Sequence, residues 1–145
     1  MHASHFFLIF SGLFLLSRPV LGEWVEIHLI DFLDEDRGYC LDIKGFKSRA
    51  KIERGLQAHT CYSYQGSTAV DQAFDSFVFE KNRFYLPAFD VCVTAESMAL
   101  AGSLKLQECK EEKLQKFWWD DAGRIYLIEN PSLCITAAPG EARQG

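Results

Sequence analysis

One segment of the chain occurs twice, and such repetition constrains a fold more tightly than local propensity does. Arg83-Phe84-Tyr85-Leu86, a short loop and Cys92-Val93-Thr94-Ala95 return as Arg124-Ile125-Tyr126-Leu127, a loop one residue longer, and Cys134-Ile135-Thr136-Ala137. A more diverged copy comes first, with alternating Val25, Ile27 and Leu29, an acidic loop from Asp31 to Arg37, then Tyr39-Cys40-Leu41-Asp42. The second halves repeat as well. Leu56-Gln57-Ala58-His59-Thr60-Cys61 followed by Gln72-Ala73-Phe74 matches Leu104-Lys105-Leu106-Gln107-Glu108-Cys109 followed by Gln115-Lys116-Phe117. This half has only two copies, so the chain reads as three units, about 24–76, 77–119 and 120–145, the third unfinished.

Within the repeats apolar residues alternate: Leu56 and Ala58, Leu104 and Leu106, Phe77 and Phe79, Phe84 and Leu86, Ile125 and Leu127. A period of two marks strands with one buried face, and Gly, Asn, Asp and Pro punctuate the gaps. No window of ten or more residues carries a helical period, which predicts an all-β domain with Phe and Trp side chains in its core. Trp118 and Trp119 are neighbours on a strand and are expected to face opposite ways, one into the core and one partly exposed.

The cysteines follow the repeats. Cys40 and Cys61 bracket the first unit, Cys92 and Cys109 the second, and Cys134 opens the third alone. Each pair can close a loop worth about 3 kcal/mol in an oxidising compartment. The odd Cys134 reads either as a site of intermolecular pairing or as the remnant of a unit cut short, which we favour as an expectation. An unfinished unit would leave strand edges unpaired and lower solubility.

Residues 1–22 resemble a signal peptide: an apolar block from Phe6 to Leu16, broken only by Ser11 and Gly12, ends at Ser17-Arg18-Pro19. It is shorter than the about 20 apolar residues a spanning helix needs, and Val20-Leu21-Gly22 offers small residues for cleavage before Glu23. Secretion is therefore expected, with no membrane insertion. Past residue 22 the chain has fourteen basic and twenty acidic residues, a formal charge of −6. The basic residues read as scattered among acids, which argues against nucleic acid as a partner.

Three units, each opening on a cysteine, two of them closing with a second cysteine and a Gln-x-aromatic triplet, resemble the ricin-type β-trefoil lectins. The triplets read Gln72-Ala73-Phe74 and Gln115-Lys116-Phe117 where the family usually has Gln-x-Trp. The resemblance covers Trp24 to the C-terminus and implies an all-β β-trefoil with three internal repeats, the third incomplete. It also implies a sugar site built from an Asp two residues after the first cysteine, a glutamine and an aromatic before the second, and a polar pair ending at the triplet's Gln. In the first unit these positions hold Asp42, Gln57, His59, Asp71 and Gln72. Asp71 stands where Asn is more usual, and His59 where a larger aromatic often lies. The chemistry is apt, because an ionised carboxylate accepts bonds from neighbouring sugar hydroxyls while a ring covers the sugar's C–H face. Galactose or N-acetylgalactosamine is the ligand implied.

The second unit has Thr94, Gln107 and Leu114 at three of those positions, and the third has Thr136, so neither is expected to bind sugar. One site predicts weak monovalent binding to glycans or glycoproteins, strengthened by oligomerisation or attachment to another module. Other readings stay open. Asp42 and Asp71 can also close turns, His59 can be a partly exposed strand histidine, and Gln72 can serve packing alone. The fold can be a protein-interaction module without sugar binding, or the targeting part of a larger secreted enzyme or toxin. A metal centre from His59, Cys61 and Cys40 competes poorly with a disulfide, and the acidic loop lacks the Gly and terminal Glu of a calcium loop, so it reads as a solvated hairpin tip. No catalytic motif or cofactor signature is present, and Pro131 disqualifies Asn130-Pro131-Ser132 as a glycosylation acceptor.

Overall fold

The computed structural model describes residues 22–137, so residues 1–21 of the expected signal segment and residues 138–145 of the third unit lie outside the described residues. The fold is mainly β. Ten short strands run β1 (Trp24–Val25), β2 (Tyr39–Ile43), β3 (Leu56–Thr60), β4 (Phe74–Asp75), β5 (Tyr85–Leu86), β6 (Val91–Ala95), β7 (Leu104–Gln107), β8 (Phe117–Trp119), β9 (Ile125–Leu127) and β10 (Asn130–Cys134). They form four small antiparallel sheets, β1-β4, β2-β3, β5-β6-β7 and β8-β9-β10.

The sequence repetition reappears in the backbone pairing. β2 and β3 set Cys40 opposite His59 and Asp42 opposite Gln57; β6 and β7 set Cys92 opposite Gln107 and Thr94 opposite Lys105. Both hairpins thus share one register. All three units also share one long-range bond, in which the residue after the cysteine donates its N–H across the sheet: Leu41 to the Ile27 carbonyl at 2.9 Å, Val93 to Phe84 at 2.9 Å and Ile135 to Ile125 at 2.8 Å. The three acceptor residues are all buried in one apolar cluster.

That cluster gathers Ile27, Ile43, Phe74, Phe84, Leu86, Val93, Leu106, Phe117, Ile125 and Leu127, among others. Phe84 lies at its centre, its ring 6.4 Å from Phe74 and 5.7 Å from Phe117, so the aromatic residues of both Gln-x-Phe triplets meet through it. Each such buried ring stabilises the fold by on the order of 2–3 kcal/mol.

Three expectations fail here. Phe77 and Phe79 belong not to a strand but to a single helical turn, α1 (Ser76–Phe79), because the Asp75 carboxylate accepts the Phe77 N–H at 2.9 Å and caps it. No tryptophan enters the core: Trp24, Trp118 and Trp119 are 47%, 48% and 44% exposed, and Phe117 takes the inward position on β8. Nor is the acidic loop wholly solvated. Glu35 folds inward, accepting from Arg37 Nε and Nη2 at 2.9 Å each and from the Thr60 hydroxyl at 3.0 Å.

Both expected disulfides are formed, Cys40–Cys61 and Cys92–Cys109, while Cys134 is an exposed thiol. Replacing Cys92 and Cys109 together by Ser is expected to cost about 3 kcal/mol in urea denaturation, whereas Cys134→Ser should change stability by less than about 0.5 kcal/mol. Among the described residues no helix is long and apolar enough to cross a membrane.

Candidate functional site

The register of β2 and β3 builds the centre of the site by placing Asp42 directly opposite Gln57. Gln57 Nε2 donates to Asp42 Oδ1 at 2.8 Å, and Gln72 Nε2 donates to Oδ2 at 3.0 Å. The same Gln72 amide group donates to the Thr60 carbonyl at 3.0 Å, and its Oε1 accepts the Tyr62 N–H at 3.1 Å. Asp71 is fixed from the other side, its backbone carbonyl accepting the Ile43 N–H at 3.0 Å and its Oδ2 accepting the Lys47 N–H. Its second oxygen, Oδ1, is buried and has no hydrogen-bond partner.

All five residues singled out from the sequence therefore converge, although Asp42, Asp71 and Gln72 are buried rather than displayed. Gln57 and His59 are half-buried. The His59 ring lies 5.5 Å from that of Tyr62, tilted by 30°, so a neighbouring ring covers part of its face.

Burial sets the electrostatics. It pushes the Asp42 carboxyl up to about 7, outweighing the opposing bonds from Gln57 and Gln72, and the nearby Asp71 charge pushes the same way. Burial also raises Asp71, against the pull of its backbone N–H bonds and of the His59 and Lys47 charges. Tyr62 is raised by burial and then by the two aspartates. The arrangement sets two carboxyls raised by burial near each other, with one buried oxygen, Asp71 Oδ1, left without a hydrogen-bond partner.

The second unit shows which part of this is scaffold. Gln115 Nε2 donates to the Thr94 hydroxyl at 2.9 Å and to the Glu108 carbonyl at 2.9 Å, while its Oε1 accepts the Lys110 N–H at 2.7 Å. These partners occupy the same three places as Asp42, the Thr60 carbonyl and the Tyr62 N–H around Gln72. The triplet glutamine is thus a structural tie in both units, and what distinguishes the first is Asp42, Gln57, His59 and Asp71. No family model matches the chain, and no curated protein matches it.

The sequence reading missed the segment that covers the site. Lys44, Lys47, Arg49, Lys51 and Arg54 fall within eleven positions, five of the fourteen basic residues after residue 22, so the basic residues are not simply scattered. Lys47, Arg49, Lys51 and Arg54 are exposed, and so is Phe46, at 50%. Lys47, Ser48, Ser67, Thr68, Ala69 and Val70 line an open cleft of about 320 Å³ beside Asp71.

For metals, the described residues gather Glu26, His28, Cys40 and Cys61 with candidate ligand atoms within 4.8 Å of one another. The imidazole beside the disulfide is thus His28, its Nδ1 3.4 Å from Cys61 Sγ, and not the His59 weighed from the sequence. Both sulfurs are bonded to each other, which leaves one imidazole and one carboxylate, fewer than a structural zinc site needs.

Proposed function

We propose that the chain is a secreted carbohydrate-binding module of the ricin-type β-trefoil kind, with one site, in the first unit. The observation that carries this reading is the bonded set of Asp42, Gln57 and Gln72, residues up to 30 positions apart, with Asp71 beside it, whose buried Oδ1 no donor satisfies. A sugar hydroxyl is a donor of the right kind, and leaving such a group unpaired costs about 1–3 kcal/mol. The shared bond from the residue after each cysteine supports three-fold repetition, and two disulfides suit an extracellular compartment. Galactose or N-acetylgalactosamine is the first ligand to test, by the family resemblance. The role is binding without catalysis, and its partners are glycans or glycoproteins.

Asp71 Oδ1 is the acceptor left to a ligand, since Oδ2 already takes the Lys47 N–H. In isothermal titration, galactose should bind with a Kd in the millimolar range. Asp71→Ala, which removes the open acceptor, should weaken binding by at least tenfold in protein that still melts cooperatively.

A second reading is favoured by one observation: Asp42 is only 1% exposed and both its oxygens already accept protein donors. In that case the set is a polar core tie and the trefoil serves protein contact. Absence of binding to galactose and N-acetylgalactosamine by the folded protein selects it.

A further inference from the structure

The segment that covers the site differs in charge from the rest of the surface. Elsewhere most described cations are paired: Arg37, Arg83, Lys105, Lys113, Lys116 and Arg124 each meet a carboxylate, and Lys81 stands apart over the Phe77 ring. Among the described residues, Lys47, Arg49, Lys51 and Arg54 form no ion pair with an acid. A chain whose residues past 22 carry a net charge of −6 thus gathers four uncompensated cations in one short segment, beside the cleft and next to Asp71.

The turn is also held in place. Gly45 has φ 150°, and a Cβ there would come within 2.5 Å of the Ala50 Cα, so the chain closes tightly at a point where only glycine fits. Lys51 N–H donates to the Lys44 carbonyl at 3.2 Å, and Ala50 N–H to the Lys47 carbonyl at 3.0 Å. The Lys47 ammonium lies 5.4 Å from the centroid of the Phe46 ring and 5.5 Å from that of Tyr62, while the Arg49 guanidinium lies 5.4 Å from Phe46. These ring contacts restrain both cations without neutralising them. The half-exposed Phe46 ring, two restrained cations, and the hydroxyl-bearing Ser48, Ser67 and Thr68 therefore face solvent together.

We infer that the ligand of the first unit is an anionic saccharide, a sugar bearing a sulfate or carboxylate, whose charge is met by Lys47 and Arg49 and whose ring lies on Phe46. This rests on the reading of the first unit as a sugar site and adds the class of sugar. The geometry suits such a ligand in three ways. An arginine fork and a lysine ammonium bind oxyanions. An aromatic face covers the apolar side of a ring. A charged group in the cleft also avoids contact with Asp42 and Asp71, which an anion placed deeper would meet at close range. The acids lie below the turn and the cations on it, so the ligand's hydroxyls are directed inward and its anionic group outward. A nucleic acid is disfavoured, because the patch is one short turn on a chain whose remaining surface is acidic.

The test is titration of the full chain with galactose, galactose 6-sulfate and galacturonic acid at low and moderate salt, alongside Lys47→Gln/Arg49→Gln and a short single-stranded DNA. Thermal melting of the double variant shows whether it is folded, and Lys47→Arg provides a conservative control. The expected result is at least tenfold tighter binding of the two anionic sugars than of galactose. That preference should fall steeply with salt, disappear in the double variant and persist in Lys47→Arg. Equal binding of neutral and charged sugars overturns the inference while leaving the sugar site in place. Binding of no sugar at all overturns the inference and the sugar site together. DNA bound as tightly as the anionic sugars, with the same salt dependence, also overturns it, by showing a surface that attracts any polyanion.

Discussion

Raising the pH from 4 to 7 is expected to destabilise this protein, by up to about 4 kcal/mol from Asp42 alone. In the folded chain burial lifts its carboxyl from 3.8 to about 7. Across that window the native state keeps a proton that the unfolded chain releases. The stability tied to that proton is therefore fully present below the unfolded value and lost as pH rises through about 7. Asp71 shifts in the same direction and adds to the slope. Glu35 acts in a different window. Bonds from Arg37 hold it down to about 2, so its contribution is present above 4.5 and is lost as pH falls toward 2. Stability should accordingly peak in mild acid. Asp42→Asn should flatten most of the decline between pH 4 and 7, because the amide is neutral throughout and Gln57, half-buried, can turn to match it. Urea midpoints measured across this range check the prediction, and a native protein whose stability rises from pH 4 to 7 would contradict it.

Gln72→Ala should be among the most damaging single changes in the chain, costing on the order of 4 kcal/mol or more. It removes one partner from each of three groups at once: the Tyr62 N–H, the Thr60 carbonyl and Asp42 Oδ2. Gln115→Ala strands the corresponding Lys110 N–H and Glu108 carbonyl, but its third partner is the Thr94 hydroxyl, which carries no charge. Its cost should be nearer 3 kcal/mol. The two variants should also differ in pH response. The penalty of Gln72→Ala grows above pH 7, where Asp42 is ionised and has lost a donor, while that of Gln115→Ala stays constant. Equal costs with no difference in pH dependence would show that Asp42 does not lean on Gln72.

Much of this architecture was legible because repetition records long-range contacts in the sequence. The two disulfides follow from aligning one unit on the next, whereas the set of Asp42, Gln57, Asp71 and Gln72 came from the family resemblance. Features that occur in a single unit escaped. The inward turn of Glu35 depends on Arg37, two residues away, and composition alone makes that loop look solvated. The α1 turn depends on the Asp75 cap, which overrides the strand-like alternation of Phe77 and Phe79. Trp118 and Trp119 remain outside because Phe117 fills the inward slot of β8, and Trp119 packs at the rim, 6.3 Å from Phe79. Burial of Asp42 and Asp71 was also hidden, since it depends on tertiary partners such as Gln72 and the Lys47 N–H that local sequence does not reveal.

The claim that the first unit binds sugar is tested most directly by following backbone amide resonances of the full chain during titration with galactose and its 6-sulfate. Saturable shifts are expected at Lys47, Gln57, His59 and Tyr62, with the register-equivalent Lys105 and Gln107 of the second unit unmoved. Shifts confined to the exposed Trp118 and Trp119, or none at any residue up to high sugar concentration, would contradict it.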